Sequence, residues 1–243
     1  RYLGPGWDLA KVRGTSYNNG AGLNMALDLG AMPYGHFSGA HAVAWDLNAP
    51  PYGDITIGDQ FQKHNVPFAV VVNANGERFR DEGEDFHSYV YARYGGEILQ
   101  QPGMYAFQIF DAKVQHLLRS EYRCRFLTKY TGNTIEELAE KMEGANAANV
   151  VKTVKEFNEA CRTDIPFDPN VHDGRCTEGL ALNKSNWANP IDEPPFDAYA
   201  VTAGVTFTFG GVKVSGQTEV ERSDGSIIKG LYAAGELVGG LYF

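Results

Sequence analysis

Short apolar runs, separated by polar and glycine-rich segments, predict that strands dominate the middle and the C-terminal part of the chain. Four runs have this character, at residues 36–43, 66–73, 204–214 and 231–234. The turn-forming sequence Asn-Ala-Asn-Gly occupies residues 73–76, directly after the second run. It predicts a hairpin that returns through residues 78–79.

Apolar residues at helical spacing predict helices elsewhere. Residues 22–30 have an apolar face and end in glycine, and residues 86–94 form an aromatic, helix-like run. Thr134 stands three residues before Glu137, which is the spacing of a capping box and predicts a helix start. The helix expected after it has one apolar face, formed by Val150, Val151, Val154, Phe157 and Cys161. We interpret these last two helices as scaffold.

Composition and charge narrow the function classes. The 243 residues are 43% hydrophobic and 12% aromatic, enough to bury one core or two small ones. The net charge of −9 argues against nucleic-acid and anionic-membrane partners. No apolar run is long enough to span a bilayer, and the N-terminus does not resemble a signal peptide, so we expect a cytoplasmic protein. The cysteines lack metal-binding spacing, which predicts buried thiols, no metal site and no disulfide: Cys124, Cys161 and Cys176.

Glycines and a single carboxylate mark the last forty residues. Gly210 and Gly211 interrupt the run 204–214, and Glu236 lies among small residues after the run 231–234. Glycines allow a backbone to approach a flat ligand closely, and an acid at a strand end can accept hydrogen bonds from hydroxyl groups. A core strand followed by a glycine turn explains the same pattern without any ligand.

These segments resemble a known family. Residues 204–214, Gly-Val-Thr-Phe-Thr-Phe-Gly-Gly-Val-Lys-Val, and residues 230–240, Gly-Leu-Tyr-Ala-Ala-Gly-Glu-Leu-Val-Gly-Gly, resemble the C-terminal flavin-binding part of the fumarate reductase/succinate dehydrogenase flavoprotein superfamily. The tricarballylate dehydrogenase-like branch is the most similar. Six further segments match in the same order, at residues 13–15, 70–86, 101–103, 111–113, 176–180 and 184–188.

The resemblance implies a mixed α+β and α/β fold. Residues 1–35 and 204–243 would belong to a Rossmann-like FAD-binding domain, and residues 36–203 to an inserted α+β capping domain that binds substrate. The glycine-rich motif that holds the dinucleotide pyrophosphate has no match, because Met25 stands where Gly20 and Gly22 would need a third glycine. We therefore expect a fragment whose principal partner is the remainder of its own polypeptide.

The implied activity is that of an FAD-dependent oxidoreductase. It would act on a C–C bond of a polycarboxylate such as tricarballylate, with hydride passing to or from flavin N5 and a capping residue handling the proton. The electron partner is not indicated. A 3-ketosteroid dehydrogenase-like flavoenzyme is an alternative, for which the apolar Phe207 and Phe209 leave room. A non-catalytic binding fragment without FAD is a second alternative.

The resemblance also assigns cofactor and substrate residues. Glu236, with Gly235, matches the position that holds the FAD ribose or ribityl region. Gly210, Gly211 and Phe207 would lie near the flavin ring. His41, Thr206 and Lys184 would bind the substrate carboxylates. On the residues alone, a structural histidine at position 41 and an exposed lysine at position 184 are the more common interpretations.

Candidates for the proton donor or acceptor follow the run 66–73. Arg80 and Glu82 lie in a segment that resembles the family's interface between cap and flavin. Counting on from Glu82 gives Phe86 where fumarate-reducing relatives carry an arginine, so His87, Tyr91 and Arg93 are the alternatives. We favour His87, since imidazole titrates near neutrality, and expect a pH limb there. The neighbouring carboxylates Glu84 and Asp85 fit a solvated face.

Overall fold

The computed structural model describes residues 2–242 and is organised around one long strand. This strand, β6 (Phe196–Val212), pairs in parallel with β1 (Lys11–Val12) and antiparallel with three others. Those three are β2 (Pro33–Asp46), β4 (Ala106–Phe110) and β5 (Lys129–Gly132), and β3 (Val70–Asn73) extends the sheet beyond β4. A separate two-stranded ribbon joins β7 (Glu219–Glu221) to β8 (Ile227–Tyr232).

Helices cover both faces of the sheet. The helix α1 (Ala21–Asp28) packs on the ribbon, and α2 (His87–Val90) and α3 (Tyr94–Leu99) flank the turn Tyr91–Arg93. Two helices lie on the opposite face to α3: α4 (Ile135–Lys141) and α5 (Ala147–Ala160). This mixed sheet with helices confirms the predicted α+β fold class.

Two cores explain why the first half of β6 is apolar on both faces. One core joins Val72, Phe107 and Ala198 to α4 and α5. The other joins Val71, Tyr199 and the aromatic face of α3. Because side chains alternate across a strand, successive residues of β6 enter opposite cores, and residues 198–201 form a continuous apolar run after the ion-paired Asp197.

The predicted helices agree with the structure in position. The prediction at 22–30 corresponds to α1, and Thr134 caps α4 by accepting a hydrogen bond from the Glu137 backbone nitrogen at 3.0 Å. The Glu137 side chain returns to the Asn133 nitrogen at 2.8 Å, one residue before the capping position. The predicted run 86–94 divides into α2, a 3₁₀ turn and the start of α3.

The predicted strands differ in extent. Only Val70–Asn73 of the run 66–73 is strand; Val66–Phe68 is a 3₁₀ turn, since Pro67 cannot donate to a ladder. The expected hairpin returns through one isolated bridge between Val72 and Arg78. The strand expected at 231–234 begins earlier, and its last residue Tyr232 is exposed rather than buried.

Both predicted domain boundaries fall inside long strands. Residues 35 and 36 lie within β2, and residues 203 and 204 lie within β6. The two strands pair from Pro33 opposite Val212 to Asp46 opposite Val201, so they carry the sheet through both boundaries. The division into domains stays a prediction. Among residues 2–242, no helix combines the length and apolar character that crossing a bilayer requires.

Candidate active site

Glycines bring three backbone segments together at the end of β6. Gly35 has a φ of 87°, and a Cβ there would lie 2.5 Å from the nitrogen of Gly240. A Cβ on Gly211 would lie 2.5 Å from the nitrogen of Gly239, which donates to the Val212 carbonyl at 3.0 Å. Gly211 is therefore required for backbone packing, which explains its presence without a ligand.

A cleft of about 330 Å³ opens beside this junction, between the start of α1, β6 and the turn Gly235–Leu237. Glu236 is exposed there. One carboxylate oxygen accepts from the Asn18 amide and the other from the Thr208 backbone nitrogen, both at 3.3 Å. Gly210 lines the cleft, while Gly235, with a φ of 68°, begins the turn that presents Glu236.

An aromatic and imidazole group begins where β2 meets β6. His41 lies opposite Phe207 in the register and stacks on its ring at a centroid distance of 4.8 Å. Tyr91 meets the His41 ring edge-on at 4.9 Å, and Tyr242 contacts Phe207 at 4.6 Å. His41 is only 7% exposed, so burial lowers its pKa, and the nearby Arg13 charge lowers it further.

Arg13 holds a position that the sequence did not single out as functional. It follows β1, which pairs with β6, and its Nη1 donates to the Thr206 hydroxyl at 3.2 Å. Its other nitrogens form an ion pair with Asp59. Arg13 lies in one of the segments that carried the family resemblance, and this match was the one sequence feature that could have identified it as a site residue.

Two further histidines continue the group on the other side of Tyr91. The rings of His64 and His87 are 4.3 Å apart, and each contacts Tyr91, at 5.1 and 4.6 Å. Burial lowers the pKa of His87 to about 4, and burial together with His87 lowers the pKa of His64 to about 2. His64 was not predicted; its signal is a polar island, residues 62–65, directly before an apolar run.

The three imidazoles share an unusual feature. In each of His41, His64 and His87, Nδ1 is buried and has no hydrogen-bond partner within residues 2–242. Buried polar atoms are usually paired, and exceptions often mark functional positions. In the described part of the chain, no cluster of three or more His, Cys, Asp or Glu side chains is arranged to hold a metal ion. We call His41, His64, His87, Tyr91 and Phe207 the imidazole cluster.

The structure places Glu82 outside this cluster. Glu82 is fully buried, forms an ion pair with Arg78 and accepts from the Val71 nitrogen at 2.9 Å. Arg78 also donates to the Leu182 carbonyl at 2.6 Å. Its oxygens are occupied by the Arg78 guanidinium and the Val71 nitrogen, and the proton-transfer role of Glu82 stays a prediction.

Arg80 and Arg93 also differ from their predicted setting. Both pair with the two carboxylates Glu84 and Glu97, and Arg80 lies 3.8 Å above the Tyr94 ring. Glu84 is therefore part of an ion-pair network rather than a solvated face. We call Arg78, Arg80, Arg93, Glu82, Glu84 and Glu97 the arginine–carboxylate network.

Lys184 likewise lies away from the imidazole cluster. It is 1% exposed, and its Nζ donates to the Ala69 carbonyl at 2.9 Å. Burial lowers its pKa to about 8, against the opposing effect of Glu82. Lys184 is therefore not the exposed lysine that the sequence alone favours. Its ammonium group links its loop to Ala69, the residue before β3.

Comparisons with known proteins identify the family. Residues 12–242 match the family described as FAD binding domain. The probable fumarate reductase Ifc3 of Shewanella frigidimarina is 32% identical over 185 residues, covering 72% of this chain and 26% of that protein. A 3-oxosteroid 1-dehydrogenase of Mycobacterium tuberculosis is 29% identical over 243 residues, covering 92% of this chain and 42% of that protein.

Solved structures give the same result. The open conformation of a flavocytochrome c3 fumarate reductase superposes with a TM-score of 0.70 and 25% identity, over 98% of this chain and 38% of that one. A 3-ketosteroid Δ1-dehydrogenase from Sterolibacterium denitrificans shares the fold, with a TM-score of 0.62 over 95% of this chain and 43% of that one. The chain thus spans less than half the length of these relatives. It belongs to the FAD binding domain family, within the fumarate reductase/succinate dehydrogenase flavoprotein superfamily.

Proposed function

We propose that the complete polypeptide containing this chain is an FAD-dependent oxidoreductase. It adds or removes hydrogen across a C–C bond of a polycarboxylate such as tricarballylate. The observation that carries the proposal is that three consecutive residues of β6, at positions 206–208, contact both the candidate substrate group and the candidate cofactor cleft. Phe207 stacks on His41, Thr206 accepts from Arg13, and Thr208 donates to Glu236 at the neighbouring cleft.

The residues of the cleft fit the sugar part of FAD. Glu236 is exposed and accepts hydrogen bonds from two protein groups at 3.3 Å, long enough for hydroxyl groups to replace them. Glu236, presented by Gly235, would hold these hydroxyls, and Gly210 and Phe207 would lie along the flavin. When bound, FAD supplies the group that accepts or gives hydride.

Arg13, Thr206 and His41 would bind the substrate carboxylates. A buried carboxylate is costly unless cations or hydrogen-bond donors pair with it. Arg13 has one nitrogen on Thr206 and its other nitrogens on Asp59, so a substrate carboxylate would share the guanidinium with Asp59, while His41 has an unpaired Nδ1 within the same group. This set replaces the earlier expectation that Lys184 supplies the cation.

His87 is the favoured proton-transfer residue. With a pKa lowered to about 4, its imidazole is neutral at pH 7 and can accept a proton, as a weaker base than an unperturbed histidine. Tyr91 is in ring contact with both His87 and His41, where it can relay the proton or orient the imidazoles.

A 3-ketosteroid dehydrogenase-like activity is the second candidate. Phe207 contacts Phe209 at 6.0 Å, and Tyr242 contacts both rings, giving an apolar surface that a steroid would cover. The 3-oxosteroid 1-dehydrogenase relative also covers more of this chain than the fumarate reductase relative does. Arg13, with its charge beside Thr206, favours the acid instead.

The test is anaerobic reduction of the flavin in the purified complete polypeptide. We expect tricarballylate to bleach the flavin absorption, and Arg13→Gln to raise the concentration required about tenfold or more, since a charge-assisted hydrogen bond is lost. Bleaching by 4-androstene-3,17-dione, unchanged in Arg13→Gln, would establish the steroid activity instead. Absence of flavin bands from the purified protein would support the non-catalytic binding fragment.

A further inference from the structure

A second cavity lies beside His64 and His87, the two histidines whose rings contact each other and Tyr91. It has a volume of about 240 Å³, several times the roughly 30 Å³ that a water molecule occupies in the liquid. Its walls are aromatic, formed by Phe68, Phe86 and Trp187. His64, His87 and Arg119 add imidazole and guanidinium groups to the same lining.

The polar groups of this cavity are the Arg119 guanidinium, two imidazoles, the Asn65 amide and the Ser88 hydroxyl, and Asp and Glu side chains do not contribute to the described lining. His64 Nε2 lies 2.6 Å from the Gln62 side-chain oxygen, which only accepts, so Nε2 carries the proton and the buried Nδ1 of the neutral ring is an acceptor. The buried Nδ1 of His87 has no partner among the described residues and can donate. Arg119 lies close enough to lower the pKa of both imidazoles. The lining thus places one positive charge beside the unpaired nitrogen of His87.

Arg119 is fixed at its backbone and loosely held at its tip. Its backbone nitrogen donates to the Asn65 side chain at 2.9 Å, next to His64 in the sequence. Within residues 2–242 its one ion pair is with Glu121, whose oxygen lies 3.6 Å from Arg119 Nε. The Arg119 side chain remains 53% exposed. Its guanidinium is therefore available to a ligand.

The aromatic walls are held in place by other contacts. The Trp187 indole nitrogen donates to the carbonyls of Asp168 and Val171, both at 3.0 Å. Phe86 contacts the Trp187 ring at 5.4 Å, and Phe68 contacts it at 6.5 Å. A cavity with preformed apolar walls and a few convergent polar groups is the usual form of a small-molecule site.

We propose that this cavity binds a small organic acid, with its carboxylate at Arg119 and His87 and its apolar body between Phe68, Phe86 and Trp187. The site is separate from the group formed by Arg13, Thr206 and His41. It stands whether the polypeptide oxidises a polycarboxylate or a steroid. His64 and His87 both contact Tyr91, which in turn contacts His41. A bound acid would therefore lie next to residues that connect the cavity to His41.

Phenylacetate is a suitable probe, because it combines a carboxylate with a flat apolar ring. Calorimetric titration of the flavin-loaded complete polypeptide is expected to show saturable binding of phenylacetate. Phenylacetamide, which has the same shape without the charge, should bind at least tenfold more weakly. The Arg119→Gln variant should weaken phenylacetate binding about three- to tenfold, a loss moderated by the exposure of Arg119.

Two variants locate the bound probe. Arg125→Gln removes the same charge from an exposed position outside the described lining and should leave the affinity unchanged. Arg13→Gln should also leave it unchanged. Equal binding of acid and amide, or equal affinity in Arg119→Gln and Arg125→Gln, would overturn the proposal. Loss of binding in Arg13→Gln alone would also overturn it, by placing the probe at the other group.

Competition identifies the source of the carboxylate. One outcome is that propane-1,2,3-tricarboxylate displaces phenylacetate from the wild-type protein but not from Arg13→Gln. The two acids would then compete at the group formed by Arg13, Thr206 and His41, and not in the cavity. This result would overturn the proposal. Displacement that persists in Arg13→Gln, or no displacement, supports a carboxylate site within the cavity, for polycarboxylates in the first case and for aromatic acids in the second.

Discussion

The imidazole cluster and the arginine–carboxylate network meet at one short turn. Tyr91 contacts the histidines, while Arg93, two residues later, pairs with Glu84 and Glu97. Both regions contain titratable side chains in buried or partly buried positions. They differ in charge pairing: each guanidinium and carboxylate of the network has an ion-pair partner, although Arg80 Nε is buried without a hydrogen-bond partner among the described residues, whereas the histidines have no such partner there.

In the network, charges of opposite sign are matched. Glu82 has three protein donors, and Arg80 bridges two carboxylates above an aromatic ring. In the cluster, three buried Nδ1 atoms have no partner within the described chain, and burial lowers all three histidine pKa values. Satisfied ion pairs fix a fold, whereas unsatisfied buried polar atoms are retained where a ligand or proton is to be met.

The largest expected effect is on turnover, in His87→Gln. If His87 transfers the proton, turnover should fall by about 10²–10⁴-fold while FAD stays bound. In the wild type, the rate should fall as pH decreases through about 4, since the base must be neutral. This limb replaces the one expected near neutrality from the sequence. The measurement is the steady-state rate across pH in the complete polypeptide.

His172→Gln is the matched control, because His172 is an exposed histidine paired with Asp85. It should retain wild-type turnover. Wild-type turnover in His87→Gln, together with a loss of turnover in Arg93→Gln or Arg80→Gln, would contradict the assignment of proton transfer to the imidazole cluster. It would return the proton-transfer role to the network.

The next effect is on stability, in Glu82→Gln. Removing one partner of a buried ion pair typically costs about 3–5 kcal/mol, since Arg78 then stays buried without its counter-charge. Urea denaturation measures this loss. Glu178→Gln breaks the exposed pair with Arg162 and should have little measurable effect. Equal stability of the two variants would show that the network is not a structural clamp.

A smaller effect is expected on substrate affinity, in His41→Ala. If His41 binds a carboxylate rather than transferring a proton, KM for tricarballylate should rise about tenfold while kcat changes little. Steady-state kinetics separate the two constants. A collapse of kcat with KM unaltered would instead make His41 a reacting group. His87 would then not be the one histidine of the cluster with a role in proton transfer.

The last effect, which is small within any one pH unit, is on acid sensitivity. Histidines titrate near about 6.5 in the unfolded chain, but near 4 for His87 and 2 for His64 in the folded chain. The unfolded state therefore binds more protons below about 6.5, and the free energy of unfolding should fall as pH decreases through this range. His64→Gln should reduce the slope between about pH 6 and 4 by up to about 1.4 kcal/mol per unit. Denaturation at several pH values measures this slope. The control Glu84→Gln, within the network, should leave the contribution of His64 to the slope unchanged.

The sequence by itself determined the family, the fold class and several elements. Local signals were sufficient for α1, for the Thr134 cap and for the position of β3, because these depend on neighbouring residues. The motifs around Gly210 and Glu236 carried the family assignment, since they are contiguous in the chain. The finer assignments to tricarballylate and to individual site residues remain proposals.

Tertiary structure decided which titratable residues meet. Arg80, Glu82 and His87 lie within eight positions of one another in the sequence, yet the first two join ion pairs and the third joins His64 and Tyr91. His41 and Phe207 are far apart in the sequence and stack because β2 and β6 pair in one register. Burial and long-range pairing set charge, pKa and partners, and neither is encoded in local spacing.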